Sequence, residues 1–219
     1  FNEGYAASSG DDWMRPALCE EALRLGRILQ QRLPVWPQVH GLLALMELQA
    51  SRARARVDAE GNPILLPDQD RSRWDHLQVA RGQAALRRAL ELGGANDPYV
   101  LQAAIADCHA RARRLEDTDW AQMAALYARL AQVNPSPVVE LNRAVAVSRA
   151  AGAAAAWPLV EALAADGRLR EYAPLAAVQG DLLSQLGRSQ EAAEAFARAA
   201  ELTTNVREKA LLEAKARQP

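Results

Sequence analysis

The feature that most constrains this chain is its punctuation. Apolar side chains recur at helical spacing in short stretches, and each stretch is bounded by residues that start or stop helices. Asp97-Pro98 and Ser136-Pro137 place a capping side chain before a proline. Proline suits the first helical position because no amide donor is needed there and its φ is already helical. Gly93-Gly94 reads as a helix stop. Asp11 or Asp12 precedes a stretch in which Leu18, Ala22, Leu25 and Leu29 share one face, the face expected to be buried. Pro34 and Pro37 close that helix and open one expected from Gln38 to about Val57. Gly61-Asn62-Pro63 marks a turn, and Ser72 with Asp75 reads as a capping box. Past Asp97, the stripe Leu101, Ile105, Cys108 and Ala112 is expected to face inward, and so are Trp120, Met123, Tyr127 and Leu130. Later helices are expected over about 137–150, 153–165, 174–186 and 189–203, with a last one capped by Asn205 and Glu208. Each cap contributes about 1 kcal/mol to helices too short to persist alone.

Composition agrees with an all-α chain. Half of the residues are hydrophobic and only 5% aromatic, with Ala and Leu filling most apolar positions. Such side chains lose little freedom in helices and let them approach closely. At 219 residues a core of ordinary size needs no staples. The two cysteines, Cys19 and Cys108, read as buried thiols of a reducing compartment. A net charge of −1 argues against a phosphate-clamping surface. No apolar run is long enough for a membrane span and no signal peptide is evident, so a cytoplasmic location is expected. The chain opens at Phe1 without an initiator Met, and is expected to be a piece of a longer polypeptide or to have its N-terminus upstream.

Helix pairs repeat. Gly180, Leu183, Gly187, Ala192, Phe196 and Ala199 fall on six positions where tetratricopeptide (TPR) units place small residues and one plugging aromatic. Ala144, Val147, Ala151, Ala156, Val160 and Leu163 form a weaker copy upstream, and only Tyr127 and Pro135 persist one unit earlier. The chain thus resembles stacked antiparallel helical hairpins, a TPR-like right-handed α-solenoid. One helical domain over 1–219 is expected: N-terminal helices in 1–96 with an inserted loop at 57–71, then TPR-like pairs over 97–219.

Chemistry is sparse. His40, His76 and His109 lack metal-binding spacing, and Cys108 and His109 point about 100° apart on a helix. No phosphate loop or nucleophile elbow is present, so neither catalysis nor a metal or cofactor is expected. Arg52, Arg54 and Arg56 spread around a helix, and Arg111 to Arg114 lack interleaved aromatics, so both clusters read as solvated faces with some ion pairs. The segment Asp68-Gln69-Asp70-Arg71-Ser72-Arg73-Trp74-Asp75 resists so bland a reading. Asp68, Gln69, Asp70, Arg71, Arg73 and Trp74 are candidate partner-binding residues. Two readings stay open: an internal pair of Arg71 with Asp68 or Asp70, or a charged loop presented to a partner. Phe1, Asn2, Glu3 and Tyr5 surround a glycine and are candidates for contact with a neighbouring domain.

Several motifs stand in a recognisable order: Phe1 to Tyr5, Gly41 to Met46, Asp68 to Asp75, Leu101 to Ala106, Thr118 to Trp120, Pro135 to Val139 and Leu141 to Val147. As a set they resemble the TPR-like C-terminal extension of one group of extracytoplasmic-function (ECF) sigma factors. The resemblance implies a regulatory role in transcription initiation, through contacts with the sigma domains of the parent chain, core RNA polymerase or a signalling protein. The promoter-reading domains would lie before Phe1, so direct nucleic-acid or membrane binding by this segment is not expected. The alternative is a free-standing TPR-like adaptor holding a peptide or protein in a concave groove.

Overall fold

The computed structural model describes residues 1–5, 14–59 and 64–217; among them the chain is helical, with no β-sheet strand. It divides into two compact units, Phe1–Asp119 and Trp120–Pro219. No helix of the described residues is long and apolar enough to cross a membrane.

The first unit contains α1 (Asn2–Tyr5), α2 (Pro16–Arg32), α3 (Pro37–Ala50), α4 (His76–Glu91) and α5 (Pro98–Arg111). Helix α3 is its centre and packs against α2, α4 and α5. Leu43 and Met46 meet Leu23 of α2, while Ala44 and Leu48 share a cluster with Val79, Leu86, Ala89 and Val100.

The apolar stripe of α2 exists, but it is not the buried face. Leu18, Leu25 and Leu29 are 45%, 52% and 41% exposed, whereas Cys19 and Leu23 are buried. Gly26 selects the contact face. A Cβ there would lie 2.6 Å from the Met46 terminal methyl, so α2 approaches α3 on its glycine side and leaves the leucines outside.

Helix α3 also ends earlier than expected, at Ala50. The Ser51 hydroxyl donates back to the Leu48 carbonyl (2.7 Å), and the Ser51 carbonyl accepts from the Asp75 amide (2.8 Å). That pairing ties the turn after α3 to the start of α4, and the stretch expected to stay helical as far as Val57 holds a 3-10 turn, Ala53–Ala55, instead. The cap of α4 is Asp75 itself, which accepts from the Leu77 and Gln78 amides at 2.9 and 3.0 Å. Ser72 is held by Asp70 instead, so the expected capping box is replaced by two consecutive Asp caps. Asp97 caps α5 as its proline pair predicts, and Leu101, Ile105, Cys108 and Ala112 are all buried.

The second unit contains α6 (Trp120–Val133), α7 (Pro137–Ala151), α8 (Ala153–Asp166), α9 (Ala173–Gln185), α10 (Ser189–Leu202) and α11 (Val206–Ala216), each packed on the next. Its spans agree with the periodicity to within a residue or two. Met123 and Leu130 of α6 are buried, while Trp120 and Tyr127 are half-buried. Ser136 sits at the cap position of α7 without a capping bond from its side chain. Asn205 accepts from the Glu208 amide at 3.0 Å, but the Glu208 carboxylate turns to the Thr203 hydroxyl (2.6 Å) rather than back to Asn205. The repeat positions Gly180, Leu183, Ala192, Phe196 and Ala199 are buried together, and so are Ala144, Ala156, Val160 and Leu163 upstream. Asp11, Asp12 and Gly61-Asn62-Pro63 lie outside the described residues.

Candidate functional site

All ten candidate residues lie in the first unit, in two places. Residues 68–75 run through two 3-10 turns, Leu66–Asp68 and Arg71–Arg73, just before α4. The Asp70 carboxylate accepts from the Ser72 amide (2.9 Å) and hydroxyl (2.6 Å), and these bonds hold its pKa below the ordinary value. Gln69 is buried and donates to the Ile64 carbonyl (3.0 Å). Arg71 pairs with neither Asp68 nor Asp70. Its guanidinium donates to the His109 and Ala112 carbonyls at 2.6 and 2.9 Å and to the Thr118 hydroxyl at 3.4 Å. It thereby satisfies the carbonyls that the last turn of α5 leaves open. Its carbon centre is also 5.2 Å from the ring centroid of buried Trp74. Asp68 and Arg73 remain exposed.

Phe1, Asn2, Glu3 and Tyr5 form a helical turn laid against the rest of the unit. The Phe1 and Tyr5 rings stack at 5.7 Å and 17°. The Tyr5 hydroxyl donates to Gln49 (2.9 Å) and accepts from Arg52, while Arg56 donates to the Tyr5 carbonyl and lies 3.5 Å from the ring centroid. Glu3 pairs with Arg15 at 3.3 Å. Arg56 is thus buried under an aromatic ring, which corrects the expectation that the cluster of Arg52, Arg54 and Arg56 is solvated. Together with Leu42, Leu45, Met46 and Tyr99, these N-terminal residues line a groove of about 740 Å³.

Two interior polar features have no counterpart in the sequence reading. Glu47 is 1% exposed, and its Oε1 accepts from Arg27 Nε and Nη2 at 2.9 and 2.7 Å. Buried His40 lies 2.9 Å from the Pro34 carbonyl through Nε2 and 3.0 Å from Gln30 through Nδ1. A carbonyl only accepts, so Nε2 carries the proton and Nδ1 accepts from the Gln30 amide.

Among the described residues His109 has the large titration shift. Burial, with Arg52 and Arg71 adding positive charge nearby, lowers its pKa from 6.5 to about 4. The unfolded chain takes up this proton near pH 6.5 and the folded chain only near 4. Stability is therefore full above the first value and falls as pH drops through the window. The shift sets a ceiling of about 3 kcal/mol, and solvent relaxation brings the expected loss to about 2 kcal/mol. Urea titrations of wild type and His109→Gln at the two ends of that window check this, the variant showing the flatter profile.

Cys19 and Cys108 are buried thiols, and burial raises both above their ordinary value. Among the described residues no group of three or more His, Cys, Asp or Glu is placed to hold a metal ion.

Residues 1–90 match the model of a family of unknown function (DUF6596). A protein of Rhizobium meliloti (strain 1021), described as uncharacterized, is 47% identical over 212 residues, covering 97% of this chain and 49% of the relative. The chain thus spans about half the length of the curated relative it matches. No solved structure matches it.

Proposed function

We propose that this chain is a protein-interaction module that regulates transcription initiation, as the C-terminal extension of an ECF-type sigma factor. The observation that supports it best is the exposed apolar stripe of α2. Leu18, Leu25, Ile28 and Leu29 are each more than 40% exposed, and Trp36 beyond the helix is 54% exposed. Apolar residues grouped on one exposed helix face mark a docking surface more often than scattered ones do. The groove behind Phe1 and Tyr5 adds aromatic rings and Met46, side chains of the kind enriched at interfaces. In this reading the stripe, the groove and the exposed ends of the 68–75 segment face the sigma domains or core polymerase. Those domains belong, in this reading, to another part of the parent protein.

The test is association of the purified chain with the two sigma domains and with core polymerase. Leu25→Asp puts a charge on the exposed stripe without touching the core, so binding is expected to weaken at least tenfold, about 1.4 kcal/mol, with thermal stability unchanged. Wild-type binding that Leu25→Asp leaves intact would sink this assignment.

A second reading has its own support. A Cβ at Gly180 would lie 2.6 Å from the Phe196 ring, the tight helix-pair packing that TPR units use. Trp157, Gln179, Leu183 and Arg198 line an open groove beside that pair. A TPR-like adaptor of this kind binds an extended peptide by calorimetry with no need of sigma domains.

A further inference from the structure

We infer that a second cleft of the first unit, between residues 71–76 and the end of α5, receives a carboxylate side chain from an acidic segment of a protein partner. This deepens the docking role proposed for the 68–75 segment and rests on it. The cleft measures about 550 Å³ and is lined by Arg71, Trp74, His76, Val79, Arg111 and Arg113, among others, with no acidic side chain in its walls. On a chain of net charge −1 that is a local excess of positive charge.

The three guanidinium groups differ in what they already hold. Arg71 is committed to the carbonyls at the end of α5. Arg111 pairs with Asp107 at 3.0 Å. The neighbouring Asp117 belongs to Arg114, at 3.2 Å. Arg113 is exposed and forms no ion pair among the described residues. One cation is left for an incoming anion, which matches a single carboxylate. A phosphate dianion would leave charge unbalanced beside the negative end of a helix.

The floor supplies the independent observation. Trp74 is 5% exposed, and its indole N–H is buried with no acceptor. Buried donors without partners are rare, and each calls for an explanation. A carboxylate oxygen entering between Arg113 and Trp74 supplies that acceptor, and Val79, Ala110 and Ala112 give the methylenes of a glutamate an apolar seat.

The experiment titrates the isotopically labelled full chain with an acetylated hexaglutamate peptide and follows the Trp74 indole resonance, with hexalysine as control. A saturable shift is expected with hexaglutamate alone, weakening at least tenfold in Arg113→Glu, whose side chain is exposed, and weakening with added salt. A stationary resonance overturns the proposal, as does an equal shift in Arg113→Glu. The same saturable shift with inorganic phosphate at matched ionic strength also overturns it, and would assign the cleft to a small anion. The titration needs no sigma domains. A failed titration beside a successful sigma-domain pull-down removes the cleft alone, and the reverse outcome removes the sigma-factor reading alone.

Discussion

Phe196→Ala is expected to lower the unfolding free energy by about 4 kcal/mol, the middle of the range for a buried aromatic truncated to alanine. Phe196 is 5% exposed and packs with Ala176, Leu183, Ala192, Ala199 and Leu212. The small residues around it are there to admit the ring, so they cannot collapse into the space it leaves. Lys215 stands 5.1 Å above the ring and is held by Asp181 at 2.8 Å, which closes the solvent side. The partner of the plug is Gly180, where any Cβ meets the ring. Gly180→Ala alone adds helix propensity of about 1 kcal/mol but forces overpacking of about 1–3 kcal/mol. In a Phe196→Leu background the same Gly180→Ala change is expected to cost less, because the smaller side chain yields. A coupling energy of at least 0.5 kcal/mol in that double-mutant cycle, read by urea unfolding, checks the plug and socket. Simple additivity would show that ring and glycine do not sense each other.

That pair was legible in the sequence because TPR-type packing is local: it links residues one helix hairpin apart, and spacing alone identifies them. The same is true of the helix spans from α5 onward, where proline, glycine and Asp caps stand next to the residues they govern. The first unit was less legible. Helical spacing correctly grouped Leu18, Leu25 and Leu29, but spacing cannot say which of two apolar faces is covered. That choice was made by Gly26 against Met46, a contact between different helices. Likewise the charges around Arg71 were visible, but not their partners. A guanidinium that caps a helix about forty positions along the chain leaves no local signal. Nor does the Arg27–Glu47 pair, whose acid sits in an otherwise apolar stretch of α3. The residues singled out for partner binding therefore divide into two kinds. Gln69, Asp70 and Arg71 hold the loop in shape, while Asp68 and Arg73 are exposed and Trp74 lines the cleft, where a partner reaches them.

Arg71→Ala is accordingly expected to act on the fold first, with a loss of about 3 kcal/mol. The end of α5 has no backbone cap at Ala112, so removing the guanidinium strands carbonyls that water reaches only in part. Trp74 loses the nearer of two cation–π neighbours in the same step, Arg52 staying at 5.7 Å. Arg71→Lys keeps the charge but cannot span the His109 and Ala112 carbonyls with one planar fork, and is expected to recover about half of the loss. The change also has an electrostatic signature. Arg71 is one of the two cations that help hold His109 deprotonated. Without it the His109 pKa rises toward the ordinary value, so the acid-dependent part of the stability shrinks. Urea unfolding at both ends of the His109 window, together with partner binding, separates the roles. Arg71→Ala is expected to lose stability and binding together, whereas Asp68→Ala and Arg73→Ala lose binding at unchanged stability. If Arg71→Ala kept its full stability, the capping role read from the geometry would fall.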